Sequence, residues 1–387
     1  MSNPTPKQAP SLGLPKSNST CKVSILDTTA EITVPPHMLV EPEIPGHNWL
    51  NLPDYSFHIK HEASGAELIF DMGIRVDWQN SVPAIVDLCG NHVPGMKVSE
   101  DVPDILTKGG VKLENLKAFI LSHWHFDHCG NISRLPQSVD LIVGPGFKDA
   151  FLPGYPTKEE SPFWEADFKG RNVIEAPFNT KIGKFQAWDY FGDGSLYVLN
   201  VPGHATGHVS ALVRTTPDTA VFMGGDVCHF TGDIRPTEYV PLPDPIPAKA
   251  QLDKRLPHPC PCSVFTACHP NQDAARTTPF YKCSSGPTSF YHDPPTAMES
   301  IRNLMEFDAD PNVLVIIAHD TAPREVMAGS FFPNATINDW KQRGWKEVMH
   351  WHFLNEMPVD GKTGREPMVD GLYRDGKRVK DLEGNAV

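Results

Sequence analysis

Residues 121–130, LSHWHFDHCG, restrict what this chain can become more than any other stretch. Within six positions they carry His123, His125, Asp127 and His128, directly after the apolar run Ala118-Phe119-Ile120-Leu121. A short continuous apolar run reads as a strand buried on both faces, so its polar continuation must emerge at a sheet edge. Neutral imidazoles and a carboxylate converging from one turn are natural ligands for Zn²⁺ and related divalent ions. Four such groups are too many for one tetrahedral ion with a position left open for catalysis. Two ions sharing the turn would resolve the excess, provided other parts of the chain supply further donors.

Other predicted strands end in such donors. Residues 195–201 lead into PGHATGH with His204, residues 220–223 into Gly224-Gly225-Asp226, and residues 313–317 into His319-Asp320. Residues 22–34 and 55–73 each read as a strand pair, with a Pro-broken loop between them. Helices are expected at 104–107, stopped by Gly109-Gly110, from Asn131, and at 147–151. Another starts at Asp293-Pro294, with Met298, Ile301, Leu304 and Met305 at helical spacing. Mixed strands and helices with the chemistry at strand ends predict a layered α/β fold.

The 387 residues hold 34 Lys+Arg against 47 Asp+Glu, a net charge of −13 that repels phosphate backbones. Nucleic acid is therefore not an expected partner. Residues 1–21, rich in Pro and Ser, lack the apolar stretch of a secretory signal and read as a disordered tail. No apolar run is long enough to span a bilayer. Eight Cys without a secretion signal suit reduced thiols and a cytoplasmic setting. The predicted domain is 22–355, with an irregular insert at about 231–293, followed by a polar, loosely attached tail at 356–387. Trp340, Trp345 and Trp351 read as packing aromatics.

HWHFDH at 123–128, GHATGH at 203–208, GGD at 224–226 and AHD at 318–320 occur in the order of the metal motifs of the metallo-β-lactamase superfamily. The chain resembles that superfamily, above all its dinuclear lactonase-like branch, from about residue 22 to 320; DMG at 71–73 matches an early strand-end signature of the branch. The resemblance implies a four-layer αβ/βα sandwich with an insert before the last metal ligand. It also implies two divalent ions, Zn²⁺ being the expected metal, although such ligands also accept Mn²⁺, Fe²⁺ or Co²⁺. By resemblance, His123, His125 and His204 hold one ion, Asp127, His128 and His319 the other, and Asp226 bridges them. The implied reaction is attack of a metal-held hydroxide on the carbonyl of a small cyclic ester or amide, with Asp127 shuttling a proton.

Two departures stand out. Acyl-homoserine-lactone hydrolases place a Tyr three residues after the bridging Asp, where this chain has His229, a candidate catalytic group. The 93 positions from Asp226 to His319 exceed what compact lactonases need, so the insert is expected to shape the pocket. His208, Asp71 and Asp320 are expected to support ligands rather than bind metal. HPCPCSVFTACHP, with His258, Cys260, Cys262, Cys268 and His269, invites a structural zinc site, against buried free thiols. By its length, its Pro-rich N-terminal loop and NDWKQRGW at 338–345, the chain resembles fungal lactonase-like proteins, some of which look like benzoxazolinone-opening lactamases; that resemblance implies a small heterocycle and xenobiotic detoxification. Rival readings are an acyl-homoserine-lactone-type lactonase, a thioesterase, a phosphodiesterase, and a metal-dependent binding or oxygen-handling protein.

Overall fold

In the strand ahead of the opening motif, Ala118 and Ile120 face one side and Phe119 and Leu121 the other, and all four are buried. Such a strand needs apolar layers on both faces, and the computed structural model, which describes residues 3–387, supplies them. Ala118 and Ile120 join Val198, Ala211, Val221 and Ile316 in a core between two sheets. Phe119 and Leu121 pack outward with Leu106, Phe147 and Phe151 beneath short helices. Full burial of each large apolar side chain contributes about 1.5–3 kcal/mol.

The first sheet has nine strands. Its central members are β1 (Cys21–Val34), β2 (Leu50–His61), β3 (Glu67–Phe70), β4 (Leu116–Ile120) and β5 (Asp140–Val143), side by side in that order. The second sheet has six, including β6 (Leu196–Asn200), β7 (Val209–Thr216), β8 (Thr219–Met223) and β9 (Val313–Ile316). The pairs β3–β4 and β8–β9 are parallel, so their C-terminal ends open at a common edge in each sheet. Helix α1 (Phe126–Cys129) lies within the metal motif, and helix α2 (Pro294–Ala309) covers the outer face of the second sheet through Ile301, Leu304 and Phe307. The result is the expected four-layer αβ/βα sandwich.

Several expectations are corrected. Residues 22–34 belong to one long strand, not a pair; a register shift between Asp27 and Glu31, with Thr29 at φ 62°, bends it. The Pro-broken loop ends at Leu50, because residues 50–53 pair with β1 and bury Leu50 and Leu52. No α-helix starts at Asn131: the one-turn α1 comes earlier, and 132–134 forms a 3₁₀ turn. The described part of the N-terminal segment is not a disordered tail. It lies on the second layer, with Leu12 buried beside Phe307, the Leu12 carbonyl accepting from Gly183 N, and the Pro15 carbonyl accepting from Arg214.

The C-terminal segment is not loosely attached either. Gly371–Arg374 and Lys377–Asp381 extend the first sheet through Gly95–Lys97, and Arg365 forms ion pairs with Asp253 and Glu325. Polarity misled here because edge strands expose one face and read as tail. Trp340, Trp345 and Trp351 are buried, as expected. The insert is largely irregular, but Lys282–Cys283 pairs with Val40–Glu41, fastening it to the loop after β1.

Candidate active site

Each candidate ligand leaves the end of a buried strand. His123, His125, Asp127 and His128 follow β4, His204 follows β6, Asp226 follows β8 and His319 follows β9. The structure brings all seven together, buried, in two groups that share Asp226. In the first, His204 Nε2 lies 3.1 Å from His123 Nε2 and 2.9 Å from His125 Nδ1. Asp226 Oδ2 is 3.6 Å from His123 Nε2 and 3.5 Å from His204 Nε2. In the second, Asp226 Oδ1 is 3.1 Å from His128 Nε2 and 3.2 Å from His319 Nε2, with Asp127 Oδ2 3.8 and 3.5 Å from the same two nitrogens.

Hydrogen bonds behind the rings aim them. His128 Nδ1 donates to Asp71 Oδ2 at 2.8 Å, and Asp71 Oδ1 accepts from Ser122 N at 2.7 Å. Asp71 reaches both from a left-handed backbone, φ 56°, a conformation a non-Gly residue holds only when its surroundings enforce it. His319 Nδ1 donates to the Pro53 carbonyl at 2.8 Å. The inward nitrogens of His128 and His319 are therefore lone pairs when the rings are neutral. His208 donates from Nδ1 to Val201 O and accepts Asp226 N–H at Nε2, so both its nitrogens are engaged and one of them holds the Asp226 backbone. Asp320 accepts from Ala322 N and lies outside both donor groups.

The donor set fits cations. His128 Nε2 and Asp226 Oδ1 are buried without a hydrogen-bond partner, an arrangement costly unless something positive sits between them. Two donors on one tetrahedral zinc are about 3.3 Å apart, given bonds near 2.0–2.1 Å. The separations above bracket that value. Burial pushes His123 and His204 well below the ordinary imidazole range and His125 down to about 4, so all three are neutral donors at pH 7. For His128 and His319 burial acts the same way but Asp226 and Asp127 outweigh it, raising His319 to about 9. Burial works against the charged Asp226, yet His128, His319 and His229 hold its carboxyl well below the usual range. A cation in each group would replace those ring protons as partner to the carboxylates.

His229 stands at the mouth of the site. Its Nε2 is 3.1 Å from Asp226 Oδ2, its Nδ1 is 2.9 Å from Tyr291 Oη, and its ring stacks on His319. Above the ligands lies a cleft walled by Ile32, Val34, Leu39, Leu52, Val93, Phe126 and Phe290, with His125, Asp127, Asp226, His229 and His319 as its polar floor. No Lys or Arg lines it among the described residues. The insert supplies Phe290, held by its N–H to Met38 O, and Tyr291. Sequence reasoning assigned the insert a pocket role but singled out neither residue; the only signal was an aromatic pair just before the helix start at Asp293.

Of the two readings of HPCPCSVFTACHP, the structure bears out free thiols and not a structural zinc site. Cys260, Cys262 and Cys268 are free thiols, burial pushes Cys268 up to about 11, and His269 bonds Thr278 and Pro279 carbonyls. Among the described residues the two groups around Asp226 are the only ones with metal-site geometry.

A model of the metallo-β-lactamase superfamily matches residues 85–319, from ahead of the first motif to the last candidate ligand. The chain belongs to the metallo-β-lactamase superfamily. Among curated relatives of this metallo-β-lactamase-fold hydrolase, the gamma-lactamase FDB1 of Fusarium pseudograminearum (strain CS3096) is 39% identical over 94% of this chain and 90% of its own. The metallo-hydrolase mfmC of Annulohypoxylon moriforme is 38% identical over 94% of this chain and 95% of its own. The solved structure of a quorum-quenching N-acyl homoserine lactone lactonase superposes with a TM-score of 0.50 over 83% of this chain and all of its own (100%), at 18% identity, a likeness of fold.

The loop geometry carries a prediction. Gly203 sits at φ 122°, and a Cβ there would lie 2.1 Å from Ala297 N in α2. Gly203→Ala should therefore cost at least about 1–3 kcal/mol and shift the neighbouring His204. Thermal denaturation together with bound-metal stoichiometry checks this. An unchanged melting temperature with full metal content would contradict it.

Proposed function

We propose that this chain is a dinuclear hydrolase that opens a small, neutral, largely apolar cyclic amide or carbamate, with cyclic esters as the nearest alternative. The cleft carries this reading: an apolar, partly aromatic wall directly over a floor of candidate ligands, without a cationic side chain to receive a phosphate or a glutathione carboxylate. The gamma-lactamase relative, alike across nearly the whole chain, supports the lactam class. A benzoxazolinone, planar and uncharged, matches those walls and would make the enzyme one of xenobiotic removal. Eight free cysteines favour a reducing compartment, in keeping with a cytoplasmic enzyme. No helix among the described residues is long and apolar enough to cross a membrane.

In this reading His123, His125 and His204 would hold one ion and Asp127, His128 and His319 the other, with Asp226 common to both groups. When bound, two divalent ions, Zn²⁺ in our proposal, would supply a water of lowered pKa and polarise the carbonyl. The chain's own groups do the rest. Asp127, on the cleft floor, accepts the proton released as oxygen adds to the carbonyl carbon and returns it to the leaving nitrogen when the C–N bond breaks. His229 Nε2–H steadies charge on the carbonyl oxygen. The apolar walls exclude bulk water and orient the ring.

The test is a panel assayed with metal-loaded protein: γ-lactams, benzoxazolinone, lactones, acyl thioesters and bis-p-nitrophenyl phosphate, with products identified by mass spectrometry. Turnover of the cyclic amides or carbamates is expected, and an inert response to every cyclic substrate would refute the proposal. The support behind His128 has its own check: Asp71→Asn should weaken metal binding at that site about 10–100-fold by titration against a chelator. Wild-type affinity would count against the pair Asp71–His128 as a functional unit.

A further inference from the structure

The insert does more than wall the cleft. Tyr291 is buried, and the single hydrogen bond of its hydroxyl among the described residues joins it to His229 Nδ1 at 2.9 Å. Its ring sits edge-on against both His204 and His229, with centroids 5.0 and 5.2 Å away. The segment is pinned on either side: Phe290 N–H donates to Met38 O, His292 N–H to His204 O, and Asp293 N–H to Gly203 O. Tyr291 thus belongs to the same rigid unit as the loop that carries His204.

The direction of the Tyr291–His229 bond follows from bookkeeping of protons. Were the hydroxyl to accept from Nδ1, its own proton would be left buried without an acceptor. The Nε2 lone pair would then face Asp226 Oδ2, an oxygen 3.1 Å away that carries negative charge. With the hydroxyl donating to Nδ1, both conflicts vanish, and the ring proton resides on Nε2, facing the cleft.

We infer that Tyr291 is a positioning residue: its hydroxyl fixes the tautomer and orientation of His229 so that Nε2–H is held at the cleft floor, beside Asp226 Oδ2. The inference rests on the hydrolase reading, deepening it by assigning the insert a part in the chemistry. An imidazole at position 229 needs a partner to choose which nitrogen carries the proton.

Two measurements decide it. In zinc-loaded protein labelled with ¹⁵N-histidine, His229 should show protonated Nε2 and unprotonated Nδ1, a pattern that becomes a tautomer mixture in Tyr291→Phe. A wild-type ring protonated at Nδ1, or a pattern unaltered in the variant, overturns the proposal whether or not a substrate has been found. In kinetics, Tyr291→Phe should lower kcat about tenfold or more with KM within about twofold and metal content intact. Introduced into a His229→Phe background it should change kcat by less than about twofold, because it acts through that ring. A further tenfold loss in that background would show that Tyr291 acts elsewhere. If the wild-type enzyme hydrolyses none of the panel, the functional reading fails while the spectroscopic result still stands.

Discussion

Replacing Asp226 with Ala should empty both metal sites at once and lower kcat/KM by at least about 10³-fold, with the sandwich still folded. The reason is geometric. Asp226 presents Oδ2 to the His123–His204 group and Oδ1 to the His128–His319 group, so no other single side chain is common to both. Its truncation also removes the carboxylate that offsets the positive charge of whatever the six remaining donors hold. Elemental analysis after gel filtration, circular dichroism and the hydrolysis panel form the measurement. Retention of two equivalents of metal with near wild-type turnover would show that Asp226 is not shared in the way its two oxygens suggest. Replacing His123 instead should disturb mainly its own group, a contrast that separates a bridging position from an ordinary one.

The second large effect is on stability. Arg235, in the stretch just after His229, pairs with Asp308 near the end of α2 through Nε and Nη2, at 3.0 and 2.7 Å, and both side chains are buried. Arg235 also donates to His350 O, so one guanidinium ties the start of the insert to α2 and to the C-terminal segment. Asp308→Asn or Asp308→Ala should cost about 3–5 kcal/mol in urea unfolding, since a buried cation is left without its counter-charge. The paired replacement Arg235→Met with Asp308→Leu should recover most of that loss, because it removes both charges from the interior. A single variant as stable as wild type would mean that Arg235 finds water or another partner.

The same pair sets a pH dependence. Burial works against the ionised Asp308, but Arg235 and then His350 hold its carboxyl below the ordinary 3.8. A carboxyl depressed on folding adds stability that is fully present above its unfolded value and is lost as pH falls through the folded one. Wild-type protein should therefore lose stability below about pH 4, and Asp308→Asn should lack that part of the slope.

How far each feature could be read from the chain depended on its range. The opening motif was legible because its candidate ligands are local: an apolar run must be a buried strand, and four donors in the next seven residues must leave it at an edge. His204, Asp226 and His319 were legible for the same reason, each ending an apolar run, and the order of the motifs made the resemblance specific. The edge strand Lys377–Asp381 was not, since none of its residues is buried and it carries no periodic apolar signal. Nor was the course of the N-terminal segment, whose placement on the sandwich depends on Leu12 and a few backbone bonds made to residues far along the chain.

The sequence by itself determined which residue types stand at strand ends and in what order, and hence the candidate donors and the resemblance that implied the sandwich and the superfamily. Only the tertiary structure decided how those donors are aimed: Asp71 behind His128, the Pro53 carbonyl behind His319, and Tyr291 behind His229. These partners lie 57, 266 and 62 positions from the rings they hold, and none belongs to a local pattern. Periodicity reports which face of an element is buried, whereas the choice of which nitrogen carries a proton is made by whatever the fold brings within 3 Å of it.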